Sequence, residues 1–104
     1  MRETSFILPL TDNDGNGLAH VHAEVQEELL NAFGGFTMED VQGVWRNDEG
    51  RRFVDASKRY TVAFDDDPSR DNDYRFSLIA AQAGKRAKQE CIYVRWSNGT
   101  VELI

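Results

Sequence analysis

The chain has 104 residues, 40% hydrophobic and 29% charged, and 12 Lys and Arg against 18 Asp and Glu leave a formal net charge of −6. That length bounds one domain with one core, and the ordinary composition excludes wholesale disorder. The acidic excess excludes nucleic acid as the default partner, because a phosphate-binding surface carries a basic excess.

Residues 5–11 read SFILPLT, a short apolar run bounded by turn residues, which predicts a strand. Pro9 lacks a backbone donor and marks a strand end or an edge. This run is too short for a secretory signal, and no stretch reaches membrane-spanning length, so a cytoplasmic protein is expected. Residues 12–17 form an Asp/Asn/Gly loop. Leu18, Val21, Val25, Leu29, Ala32 and Phe33 then recur at helical spacing, with Glu24, Gln26, Glu27 and Glu28 between them. Gly34 and Gly35 stop this helix.

Residues 36–46 read as extended, with Gly43 suggesting a bulge or a close backbone approach. Residues 47–50, NDEG, form a hairpin turn, and residues 52–64 are the return strand, with Tyr60, Val62 and Phe64 on one face. Residues 65–73 are a polar acidic loop. Residues 74–88 predict a second helix with Phe76, Ile79, Ala80, Ala83 and Ala87 on one stripe and Gly84 weakening it. Residues 90–96 predict a strand, residues 97–99 a turn, and residues 100–104 a short final strand. The order predicts an α+β protein, a ferredoxin-like β-α-β-β-α-β sandwich with an extra C-terminal strand. Both helices would cover one sheet face and leave the other open.

The stretch TDNDGNG, residues 11–17, begins like an EF-hand loop, with oxygen ligands alternating before a glycine. The bidentate acid should then fall at Ala23, Glu24 misses it by one residue, and a strand precedes the loop where an EF-hand has a helix. The expected role is a strand-to-helix turn with Asp14 or Asn16 capping the helix. A weak calcium site from Asp12, Asp14, Asn16 and Glu24 is the alternative. His20 and His22 lie about 200° apart on a helix and do not form a metal pair. The single cysteine, Cys91, forms no intrachain disulfide and reads as a small buried hydrophobe in a strand. No spacing supports pairing it as a nucleophile with either histidine. No catalytic motif is present, and neither an enzyme nor a cofactor is expected.

The hairpin carries Trp45 beside Arg46, and Arg51, Arg52, Lys58 and Arg59 make it the basic end of an acidic chain. Trp45 is expected in the core, with a binding role for Trp45, Arg46 and Arg59 as the competing reading. The acidic residues 65–73 read as a solvated loop, with a cation site or mimicry of nucleic-acid phosphates as the sharper readings.

The run FGGFT at 33–37, then GVWR at 43–46, Gly50-Arg51 and Ser57-Lys58, together with LPLTDNDG at 8–15, resembles a group of small uncharacterised proteins of bacteria, their phages and plasmids. More distantly it is similar to a bacterial domain-of-unknown-function family. The resemblance implies a compact α+β fold and a mobile-element origin, and transfers no catalytic residue. The expectation is a non-enzymatic protein-interaction module, its partner a host protein or a second copy in a homodimer. A small-ligand or cation-binding domain is the alternative.

Overall fold

The computed structural model describes residues 1–104 as β1 (Arg2–Pro9), α1 (Ala19–Phe33), β2 (Thr37–Arg46), β3 (Arg52–Phe64), α2 (Asn72–Arg86), β4 (Tyr93–Arg95) and β5 (Val101–Leu103). The strands form one antiparallel sheet in the order β2-β3-β1-β4-β5. Two crossovers, each through a helix and each straddling one intervening strand, make this the expected ferredoxin-like α+β arrangement with one added edge strand.

The core follows from strand alternation and helical spacing. Thr4, Phe6 and Leu8 of β1, Tyr60 and Val62 of β3 and Val94 of β4 point to the helices and are buried. Val21, Val25 and Leu29 of α1 and Phe76, Ala80 and Ala83 of α2 meet them. Phe6 packs on Tyr60 and edge-on to Phe76, with ring centroids 5.5 and 5.4 Å apart. Gly34 ends α1 in the left-handed conformation, at φ 80°, and its N–H reaches the Leu30 carbonyl. Gly84 is buried because α2 approaches Ile92 closely. A Cβ there would lie 2.6 Å from the Ile92 side chain, so packing and not helix propensity selects the glycine.

Several local expectations are corrected. Helix α2 begins at Asn72, two residues before the apolar stripe implies, because Asp71 caps it by accepting from the Tyr74 N–H. Helix α1 has no side-chain cap, so neither Asp14 nor Asn16 plays that part. Gly43 makes no bulge: the β2–β3 register runs unbroken from Thr37↔Thr61 to Arg46↔Arg52. Cys91 is exposed, in the loop before a β4 shorter than expected. Trp45 lies outside the core, 50% exposed, stacked on Phe53 at 4.5 Å with its indole N–H donating to Asp55 Oδ2.

No helix is long and apolar enough to cross a membrane.

Candidate functional site

Because the helices cover one face, residues of opposite parity on β1, β3 and β4 look out from the bare face of the sheet. Register brings them together. Ser5 stands between Thr61 of β3 and Arg95 of β4, and Thr61 in turn faces Thr37 of β2. Glu39 of β2 opposes Arg59 of β3, and Arg59 Nε donates to Glu39 Oε1 at 2.9 Å.

These residues floor a cleft of about 760 Å³ whose lining includes Glu3, Ser5, Glu39, Arg59, Thr61 and Arg95. That volume is in the range of small-molecule sites. The turn between β4 and β5, Trp96 to Gly99, forms its rim. The turn is held by Gly99 at φ 88°, by the Thr100 N–H on Asn98 Oδ1, and by Ser97 Oγ donating to Asp73 at the start of α2. Glu39 and Arg59 neutralise each other. Glu3 and Arg95 have no side-chain partner, so one free carboxylate and one free guanidinium share the cleft with two hydroxyls. The cleft is therefore matched to a ligand carrying both signs of charge.

The sequence-derived site residues are not gathered. Arg59 lines the cleft, Trp45 lies far along the same face, and Arg46 points to the opposite one. No local spacing joins Glu3, Glu39 and Arg95: they converge from β1, β2 and β4 only through sheet register. The available signal was charge at outward positions of strands that the fold order places side by side.

The aspartates serve the backbone. Asp12 Oδ1 accepts from the N–H groups of Asp14 and Asn16, which hold its carboxyl below the ordinary value of 3.8, the Asn16 bond first. Glu24 pairs with Arg86 across the helices, and no cluster of Asp, Glu, His or Cys is placed to hold a metal ion. The four residues proposed for calcium are thus not assembled. In the loop after β3, Asp66 meets Arg2, Asp67 accepts from Ser69, and Asp71 caps α2.

His22 is the other polar centre, and it is structural. Its Nε2–H donates to the Pro9 carbonyl at 2.8 Å, which leaves Nδ1 to accept from the Tyr60 hydroxyl at 2.6 Å. Gln26 donates to the same hydroxyl at 3.2 Å. Burial lowers the His22 pKa and raises that of Tyr60, so both are neutral. His20 is exposed and does not join this cluster.

No family model matches the chain, and no curated protein matches it. Among solved structures it is similar to a phage SAM lyase in complex with S-methyl-5'-thioadenosine, with a TM-score of 0.72 and 14% identity, covering 98% of this chain and 87% of that one. It is also similar to a phage SAM lyase in the apo state, at 0.70 and 13% over 98% and 86%. This likeness shows a shared fold, and it overturns the expectation of a non-enzymatic interaction module. That expectation equated a missing motif with missing chemistry, whereas this chain has, almost end to end, a fold on which solved phage proteins are enzymes.

Proposed function

We propose that this chain is a small-molecule enzyme that binds SAM (S-adenosylmethionine) in the open-face cleft and cleaves it to S-methyl-5'-thioadenosine. The observation that carries the reading is the charge pattern of that cleft. SAM presents a sulfonium, an ammonium and a carboxylate. The cleft offers the free Glu3 to the cations and the free Arg95 to the carboxylate, beside the mutually paired Glu39 and Arg59. The fold shared with SAM lyases supports the same reading.

The chemistry asks little of the protein. The bond from the sulfonium sulfur to the γ-carbon breaks, and its electron pair stays on sulfur as a neutral thioether. The carbon left behind is satisfied by the substrate's own carboxylate oxygen, which closes a lactone without water. This route needs no protein base, and the cleft lining holds no histidine. The residues' task is then to fold the aminobutyrate chain so that carboxylate oxygen and γ-carbon meet in line, which is catalysis by positioning. Glu3 and Arg95 together hold the α-carbon end of the chain, by its ammonium and by one carboxylate oxygen, and leave the other oxygen to close on the γ-carbon. A SAM substrate supports a cytoplasmic location, and the phage source of both solved neighbours supports a mobile-element origin.

Incubating the purified chain with SAM and separating products by reversed-phase chromatography tests this. S-Methyl-5'-thioadenosine should appear mole for mole with SAM lost, and Arg95→Gln should cut kcat/KM by roughly tenfold or more, since a charged hydrogen bond contributes on the order of 1.5–3 kcal/mol. No turnover, together with no calorimetric heat on titrating SAM or the thioether, would remove the reading.

A further inference from the structure

Strands β2 and β3 outrun the rest of the sheet. Strand β1 pairs with β3 from Phe64 back to Ser57 and no further. Past Ala56, whose carbonyl still accepts from the Leu10 N–H, the two strands pair only with each other from Gly43↔Asp55 to Arg46↔Arg52, and the turn Asn47 to Gly50 closes them. This arm bears apolar side chains on both faces. Val44 and Val54 oppose each other on one side, 56% and 51% exposed, while Trp45 and Phe53 stack on the other. A two-stranded ribbon is marginal in water, and a bare apolar ribbon edge invites pairing.

The size of the uncovered surface fits an interface. The chain exposes 6800 Å², whereas a folded monomer of its 11.8 kDa is expected to expose about 5,900 Å². The excess over the whole chain, about 900 Å², to which the projecting arm contributes, is on the scale of the roughly 800 Å² that each partner contributes to a standard interface. The radius of gyration, 14.1 Å, likewise exceeds the roughly 13 Å of a compact chain of this length.

Charge selects the occupant. Arg46, Arg51 and Arg52 of the arm balance Asp48, Glu49 and Asp55, so the whole net charge of −6 resides elsewhere. Two copies of an acidic chain repel least where each is neutral. In a two-fold contact, which sets each patch against itself, the arginines of one arm can also face the acids of the other. We propose that the β2–β3 arm is a self-association surface and that its occupant is the arm of a second copy of this chain. The arm is clear of the cleft, since from Glu39 to Trp45 the strand climbs about 20 Å. Assembly and turnover are therefore separately testable.

Analytical ultracentrifugation of the intact chain across a wide concentration range is the test. The expected mass is at least twice 11.8 kDa at the upper end. Val44→Glu and, separately, Trp45→Asp should each raise the dissociation constant by roughly tenfold or more, with the far-ultraviolet dichroism unchanged. The double exchange Arg46→Glu with Arg52→Glu, which makes the arm acidic, should also dissociate the assembly and be rescued by high salt. A chain monomeric at every concentration would overturn the proposal. So would an assembly that none of these variants loosens.

Discussion

The two halves of the β2–β3 ladder obey the same alternation and meet different fates. Near its start Tyr60, with Val62 just outside it on β3, turns inward beneath α1 and α2, and both are fully buried. Toward the turn, Val44 and Val54 carry the same inward parity past the ends of the helices and are half exposed. Parity decides which way a side chain points. Whether anything waits there depends on which strands and helices extend that far. The difference teaches that hydrophobic alternation is a statement about direction, and burial a statement about neighbours.

The sharpest test of the contrast is in the buried half. Tyr60 touches Phe6, Phe36 and His22 and carries the hydroxyl that both His22 and Gln26 bond. Tyr60→Ala removes a large ring from a closed core and leaves the His22 ring nitrogen without its donor. A loss of about 3–5 kcal/mol is expected, because large-to-small aromatic truncations in cores cost that much. Urea unfolding followed by dichroism measures it, and a loss under about 1 kcal/mol would mean that the buried half is no better packed than the arm.

A smaller effect comes from the same network through pH. Burial depresses the folded-state pKa of His22 below its ordinary 6.5. The unfolded chain therefore takes up a proton there first as pH falls. The sign follows: the His22 contribution is fully present above 6.5 and is lost progressively as pH drops toward the lower folded value. Asp12 and Asp67, whose folded pKa values lie below 3.8, hold their contributions through that window and lose them only in stronger acid. Thermal melts stepped down from pH 7 toward 4.5 should show the melting temperature falling, with His22→Gln flattening the slope. An equal slope in the variant would place the proton uptake elsewhere.

How far these features could be read from the chain alone divides along the same line. The helices were legible because Val21, Val25 and Leu29, and Phe76, Ala80 and Ala83, repeat within one element, where spacing equals position. The strand order followed from the sequence of elements. The buried partnership of His22 with Tyr60 was not legible, since it joins residues 38 positions apart. Neither was the cleft, among whose charged residues the sequence singles out Arg59 alone. Glu3, Glu39 and Arg95 are ordinary surface charges until register places them on one face. Trp45 is expected in the core because tryptophans in strands are mostly covered; Pro9 does mark the end of β1, but nothing local reveals that this end lies beside the arm and leaves it without a third strand.

The smallest effect belongs to that arm, and its size should depend on conditions. In dilute solution Trp45→Ala gives up an exposed stack on Phe53 and one hydrogen bond to Asp55. Exposed contacts of this kind contribute little, so a change under about 1 kcal/mol is expected, several times smaller than at Tyr60. If the arm joins a second copy, the wild type gains stability with concentration by mass action while the variant does not. The gap between their unfolding midpoints should then widen as protein is added. A gap that stays constant would mark Trp45 as a solvent-facing stack and nothing more. A gap already as large as that of Tyr60→Ala in dilute solution would mean the arm is folded into the body, and the contrast between the two halves of the ladder would fail.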